Sequence, residues 1–474
     1  MESTITIPFW LFVLITVFAA VMVLDRFLMP GMRWYFRRRV NRVIDEINTR
    51  LDVEIRPLQI TQRRALIDRL VFDEKVLEAV KQTALEKGMP TSVAQDKARK
   101  YANEITPAFN AYMYFRIGYW ISKKLARLMY RMRVGFFDNN ELSKVDPNST
   151  VVFVMNHRSN MDYVLVSFLV AEKTALSYAV GEWARIWPLQ TLIKSMGAFF
   201  VRRNSGNPLY RRVLERYVNM STRAGVCQAV FLEGGLSKDG ALRQPRLGFL
   251  DYMLRDYHCD TDRDITFVPV GINYDRVIED RSLVRKLDVE AEKRSKWFVF
   301  KTTVRFVSKT LLLSRKMRLR RFGYANVNFG NPVSVKAYCK QNNLDFIQLE
   351  QEPRFEQVAV LADSLMLAIK NAVPITPVAL MSEIILANKH AWKSELELKA
   401  QALKRMEVLK QLGAPIRISS NTTESVFNGA LDIIEGRSWL DMQDNLCKAK
   451  EDAIVMLEYY ANSIAHWHET NNEE

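Results

Sequence analysis

Cysteine and histidine are scarce in this chain, four and five among 474 residues. Cys227, Cys259, Cys339 and Cys447 stand far apart and fit no metal-ligand spacing. No metal site is therefore expected, and the thiols read as those of a reduced, cytosol-facing protein. Internal repeats and low-complexity tracts are missing, which argues against a solenoid and against a long disordered tail. Acidic side chains are absent from two long segments. Residues 108–137 hold six Lys or Arg, and residues 293–321 hold eleven. With a net charge of +15, this balance points to a polyanionic partner. Nucleic acid, anionic lipid and a phosphorylated substrate all remain open on charge alone.

Charge of either sign is absent from Ile7 to Leu24, "IPFWLFVLITVFAAVMVL". Eighteen uncharged residues are just enough to cross a bilayer core as a helix. No basic segment precedes the run, so it reads poorly as a cleaved leader. Arg26, Arg33, Arg37, Arg38, Arg39 and Arg42 follow it. Positive charge stays cytoplasmic, so the expectation is a single N-terminal pass in the cell inner membrane with the remainder on the cytoplasmic side.

What is present suggests two or three domains around an ample apolar core. Residues 1–30 read as a transmembrane anchor and 31–107 as a helical module. In the latter, "RALIDRLVFDEKVLEAVKQTALEKG" repeats apolar residues at helical spacing, ends on Gly88, and leaves Thr91 or Ser92 as the next cap. Residues 108–137 read as a basic amphipathic helix with Trp and Tyr, suited to a headgroup layer or to packing on a core. The second basic block, 293–321, interleaves apolar residues with its cations. From 150 to 335, "TVVFVMN", "CQAVFLEGG", "ITFVPVGINYD" and "ANVNFGNPVSV" are strand candidates. Helical patterns separate the first three. The fold class expected is α/β, a mainly parallel sheet flanked by helices, over a domain of 108–340. Residues 341–474 read as a C-terminal helical region.

Four polar clusters punctuate the strands. "VVFVMNHRSNMDYVLVSFLV" places His157 in a turn after a strand and Asp162 in the first turn of a helix capped near Asn160. An imidazole that removes a proton needs one free nitrogen and an acceptor on the other. His157 as base and Asp162 as orienter meet those needs; taken alone, the pattern also suits a structural histidine. "GAFFVRRNSGNPLYRR" ends an apolar run on Arg202 and Arg203, whose forked donors suit a phosphate or a solvated strand end. "AVFLEGGLSKDG" follows a strand with Glu233, the flexible Gly234 and Gly235, then Ser237 and Lys238. "FVPVGINYD" sets Pro269 inside a strand-like run, as a kink or an edge.

In order and spacing these clusters resemble the four motif blocks of the glycerolipid acyltransferases. His157 to Asp162 matches that superfamily's H-x4-D box. The run from "HRSNMDY" through "GAFFVRR" and "FLEGGLSKDG" to "VPVGINYD" resembles the bacterial membrane glycerol-3-phosphate acyltransferases. The resemblance implies transfer of a fatty acyl group from acyl-CoA or acyl carrier protein to the sn-1 hydroxyl of glycerol 3-phosphate, giving lysophosphatidate, the first step of phospholipid synthesis. It implies His157 and Asp162 as the catalytic pair. Arg202, Arg203 and Lys238 fall near the phosphate. Glu233, Gly234, Ser237 and Pro269 share substrate binding and loop shape. No bound cofactor is implied, and membrane lipids are the expected surroundings. Leu236 departs from the pattern, since an arginine is expected after the double glycine. Lysophosphatidate or dihydroxyacetone phosphate is therefore an alternative acceptor, and an inactive relative a further one. A non-catalytic basic membrane-surface or nucleic-acid-binding protein is the alternative of another class. The sequence has no nucleic-acid-binding signature, so no nucleic acid is expected as a partner.

Overall fold

The computed structural model describes residues 16, 58, 63–111, 113–136, 145–170, 175–181, 189–202, 205–287, 314, 317, 321–416, 418 and 423–469. Contacts divide the chain into two units, Met1–Glu54 and Ile55–Glu474. Among the described residues of the second unit, an eight-stranded sheet forms the centre. Its strands are β1 (Arg131–Phe136), β2 (Thr150–Met155), β3 (Ser177–Gly181), β4 (Phe199–Val201), β5 (Gln228–Phe231), β6 (Ile265–Tyr274), β7 (Tyr324–Phe329) and β8 (Val333–Ser334). The order is β1-β7-β6-β2-β5-β3-β4, with β8 also on β6. Strands β6, β2, β5, β3 and β4 run parallel to one another; β7 and β8 run antiparallel to β6. The mainly parallel sheet expected from alternating strand and helix patterns is present.

Strand alternation divides the core in two. Val151, Phe153 and Met155 of β2 join one hydrophobic cluster with Val268, Val270, Ile272 and Tyr274 of β6. Helices Tyr119–Met129, Met161–Val170, Pro377–Ala387, Thr423–Glu435 and Ile454–Ala461 contribute to that face. Val152, Val154 and Phe267 point the other way. There they meet helices Arg63–Val71, Glu74–Glu86, Thr91–Ile105, Pro208–Arg223 and Gln351–Ala372. The N-terminal helices thus share a core with the sheet. Gly88 ends its helix in the left-handed region (φ +56°), as a helix stop requires. Pro90, not Thr91 or Ser92, precedes the next helix.

Three expectations are corrected. The fold class included one N-terminal membrane helix, but among the described residues no helix is long and apolar enough to cross a membrane. The longest of them, Gln351–Ala372, carries Glu352, Arg354, Glu356, Asp363 and Lys370, a charge load that a bilayer core does not accept. The run Ile7–Leu24, apart from Thr16, lies outside the described residues. The expected transmembrane anchor, and the inner-membrane placement by a single pass, fall with that helix. Second, residues 108–137 are not one helix. A π-helical turn, Met113–Gly118, leads into helix Tyr119–Met129, and Arg131–Phe136 then pairs as an edge strand with β7. Third, the C-terminal region is not wholly helical. It holds a small antiparallel sheet of Lys393–Ser394, Leu440–Gln443 and Leu446–Ala449. The basic block 293–321 lies outside the described residues except Ser314, Met317 and Arg321.

Candidate active site

The carboxyl ends of β2, β5 and β6, three adjacent parallel strands, deliver the polar clusters to one place, as such sheets do. Asn156 follows β2, and its side chain replaces a ladder rung. Its Nδ2 donates to the Ile272 carbonyl (2.9 Å), and its Oδ1 accepts from the Ile272 amide (2.8 Å). The chain then turns through His157–Asn160 into helix Met161–Val170. Ser159, rather than Asn160, meets the first helical amide, with its Oγ accepting from Met161 N (3.1 Å).

His157 and Asp162 are both buried, and His157 Nδ1 lies 2.9 Å from Asp162 Oδ2. The same oxygen accepts from the amides of Arg158 (2.7 Å) and Ser159 (3.0 Å). Oδ1 accepts from the hydroxyl of Tyr274 at 2.5 Å. Burial, and the Asp162 carboxylate after it, hold that phenol well above its usual pKa, so it stays a donor. The imidazole stacks on Phe231 (centroids 3.9 Å, planes 24° apart), and Tyr163 meets it edge-on. Its position is therefore fixed at one nitrogen, on one face by Phe231 and by the edge-on ring of Tyr163. Nε2 is buried and has no hydrogen-bond partner among the described residues. A buried polar atom left unpaired is costly, and a substrate hydroxyl would satisfy it. Asp162 fixes Nδ1 as the protonated nitrogen, which leaves Nε2 as an acceptor.

Glu233 sits where β5 ends, also buried. Oε1 accepts from the His157 amide (3.0 Å) and Oε2 from the Arg243 amide (3.3 Å). Both oxygens are thus spent on backbone. Burial pushes its carboxyl up to about 7. Gly234 takes φ +66°, and a Cβ there would meet the Arg246 side chain at 2.8 Å. Ser237 is buried. Its amide donates to the His157 carbonyl (3.1 Å), while its Oγ donates to the Ala241 carbonyl (2.8 Å) and accepts from Gly240 N (3.0 Å). Lys238 is exposed, and Leu236 packs on the core. The loop thus serves to hold the His157 backbone from two sides.

Arg202 is not with this cluster. It follows β4, three strands from β2, and strands lie about 4.8 Å apart, so roughly 14 Å separates them. Its guanidinium is taken by Glu104, with Nε on Oε1 at 2.8 Å and Nη2 on Oε2 at 2.6 Å, and lies over the rings of Tyr101 and Tyr210. Arg203 lies outside the described residues. Pro269 is buried in the central β6, neither kink nor edge. Its carbonyl accepts from Gly330 N (2.8 Å), so its missing N–H faces the break between β7 and β8 and leaves no rung unmade. Alternation sends its ring to the face of Phe267, away from Tyr274 and Asp162.

Sequence reasoning missed Arg158, Tyr274 and Glu279. Arg158 is buried, donates through Nη1 to the Gly240 carbonyl and lies 4.7 Å over the Tyr459 ring. Its adjacency to His157 was visible, its direction was not. Tyr274 stood inside the quoted "GINYD", where it reads as an ordinary strand aromatic.

Two family models match the chain. "Acyltransferase" covers residues 137–273, and "Glycerol-3-phosphate acyltransferase C-terminal region" covers 308–468. Both matches relate the chain to the glycerolipid acyltransferase superfamily. Within it, the relation is to bacterial glycerol-3-phosphate acyltransferases. That of Aeromonas hydrophila subsp. hydrophila is 27% identical over 426 residues, 86% of this chain and 50% of the relative. That of Pseudomonas entomophila is 28% identical over 428 residues, 86% and 49%. That of Xylella fastidiosa is 27% identical over 443 residues, 90% and 50%. The chain spans about half the length of these curated relatives. The solved 1-acyl-sn-glycerophosphate acyltransferase of Thermotoga maritima aligns with 16% identity over 53% of this chain and 78% of that one, at a TM-score of 0.29, too low to carry an argument.

Proposed function

We propose that the chain transfers a fatty acyl group from an acyl-CoA or acyl carrier protein thioester to the sn-1 hydroxyl of glycerol 3-phosphate. The observation that carries this is the buried, unpartnered Nε2 of His157, held as an acceptor by the Asp162 contact at Nδ1. The named relatives supply the substrate class.

In the proposed reaction His157 Nε2 takes the proton of the sn-1 hydroxyl as its oxygen attacks the thioester carbonyl. The imidazolium that forms lies against the Asp162 carboxylate, whose charge stabilises it. The tetrahedral intermediate collapses, the C–S bond breaks, and the departing thiolate recovers the proton from Nε2. The products are lysophosphatidate and free thiol, and no acyl-enzyme intervenes. Cys227 is buried just before β5 and is not needed as a nucleophile.

A second acceptor reading rests on the phosphate donors. Arg202 is bound by Glu104, Lys238 is exposed, and Leu236 fills the position expected for arginine. Lysophosphatidate or another glycerophosphate-type alcohol is then the alternative. Purified protein given radiolabelled glycerol 3-phosphate, lysophosphatidate or dihydroxyacetone phosphate, with each thioester in turn, separates these. Labelled lysophosphatidate from glycerol 3-phosphate supports the first reading, and turnover of another acceptor alone overturns it.

Membrane lipids are proposed as a partner at a surface, not by a crossing. Trp120 is 57% exposed, and the Lys124 ammonium lies 4.7 Å from its ring, with Lys123 over Tyr119 on the same helix. Flotation with anionic and with neutral vesicles tests it; equal recovery with both removes the proposal.

A further inference from the structure

The amides of Arg158 and Ser159 serve Asp162 only if the turn His157–Asn160 keeps its shape. One carboxylate far along the chain, Glu279, also holds that turn. Ser159 Oγ donates to Glu279 Oε2 (2.7 Å). Asn160 donates to Glu279 Oε1 through Nδ2 (3.0 Å) and more weakly through its amide (3.3 Å). Ser159 Oγ at the same time accepts from Met161 N, so Glu279 orients the group that starts the helix bearing Asp162. Both oxygens of Glu279 are thus engaged by two consecutive residues of the turn. Removal from water pushes this carboxyl up in pKa, and Asp162 adds to that. Asp162 thus holds the turn by the Arg158 and Ser159 amides, and Glu279 holds it by the Ser159 and Asn160 side chains.

Glu279 is held in turn from the C-terminal region. Its neighbour Asp280 is buried and accepts from Arg437 Nη1 (2.5 Å) and from the Tyr460 hydroxyl (2.6 Å), both on Oδ2. Asp280 Oδ1 accepts from the Arg281 amide (2.6 Å). The Tyr460 oxygen also accepts from Val277 N (3.0 Å). Tyr460 therefore grips the segment on both sides of Glu279. Arg437 and Tyr460 fall inside the stretch matched by the C-terminal family model.

We infer that Glu279 is a positioning residue for the His157–Asp162 pair, and that Asp280, Arg437 and Tyr460 set it there. The inference rests on the reading of His157 and Asp162 as the acid–base pair. It gives the C-terminal region a role in the transfer step without contact with either substrate.

The test uses the full chain as Glu279→Ala, Glu279→Gln and Tyr460→Phe, with kcat, both KM values and the proton NMR resonance of His157 Nδ1–H as readouts. A displacement of about 1 Å at a reacting group can cost about a hundredfold, so Glu279→Ala should lose about that in kcat. Both KM values should stay within about twofold, since neither substrate is touched. Glu279→Gln keeps one acceptor and should recover part of the loss, a rescue that a general destabilisation would not show. Tyr460→Phe loses both hydrogen bonds of that hydroxyl and should cost about fivefold in kcat. The His157 resonance should shift in all three. If Glu279→Ala does not fold, Glu279→Gln and Tyr460→Phe decide the matter alone. A folded Glu279 variant with normal kcat and an unmoved His157 resonance overturns the inference. An unaffected Tyr460→Phe overturns its C-terminal half. If wild type acylates no acceptor in the panel, the functional reading fails, and the resonance still decides whether Glu279 positions the pair.

Discussion

Tyr274 donates its hydroxyl to Asp162 Oδ1 at 2.5 Å, across 112 residues of chain, while Oδ2 faces the His157 imidazole. One oxygen of the carboxylate is thereby tied to the central strand β6, and the other is aimed at the histidine. Tyr274→Phe should leave Oδ1 buried without a donor and destabilise the fold by about 1–3 kcal/mol. Denaturant unfolding measures this. A fall in kcat should accompany it, because the carboxylate loses the bond that ties Oδ1 to β6.

His157→Ala should fold and lose nearly all transfer, about a hundred- to ten-thousandfold in kcat, the usual reach of general-base catalysis. Asp162→Asn should be nearly as severe, since the amide no longer stabilises the imidazolium or fixes the tautomer. Steady-state assay of purified protein checks both. Near-normal turnover by well-folded His157→Ala would sink the mechanism.

Glu233 predicts a pH dependence of stability. Its carboxyl is raised to about 7 by burial, so the folded state keeps a proton that the unfolded chain has lost. The favourable contribution is complete below the unfolded value near 4.5 and disappears as pH rises through about 7. The span corresponds to a loss on the order of 3 kcal/mol. Melting curves from pH 5 to 8 should show a decline that Glu233→Gln flattens. Parallel curves for both proteins would show that Glu233 does not titrate in this window.

Arg202→Ala should behave as a structural change. The bidentate pair with Glu104 sits on a partly exposed guanidinium, and such pairs contribute about 1 kcal/mol or less. A modest fall in Tm is expected, with the KM for glycerol 3-phosphate within about twofold of wild type. A selective rise in that KM would return Arg202 to the acceptor site.

The strands β2, β5 and β6 were legible because continuous Val, Phe and Ile runs mark strands buried on both faces. β3 reads "SYAVG", broken by Ser177 and Gly181, and β4 has only three residues, so neither leaves such a trace. The H-x4-D spacing singled out His157 and Asp162, since both lie on one local turn. Arg202 reads as a phosphate ligand in the sequence because a cation at a strand end looks the same whether a phosphate or Glu104 meets it. The membrane helix was read from apolar length alone, a pattern that names a candidate span without placing it. Glu279 and Tyr460 were invisible for a plainer reason. Their partners lie 120 and 180 residues away, and hydrogen bonds at such separation leave no periodic mark.

Gly240 has φ +90°, and a Cβ at this position would lie 1.8 Å from the Tyr459 carbonyl oxygen. The motif loop and helix Ile454–Ala461 therefore meet backbone to backbone, with no room for a side chain between them. Asn462 Nδ2 closes the same seam on the Asp239 carbonyl (3.0 Å). Shortening the protein from its carboxyl end past residue 462 would thus be heard first at His157, whose carbonyl hangs on Ser237 of that loop. Trimming the tail and editing the reaction centre become one operation.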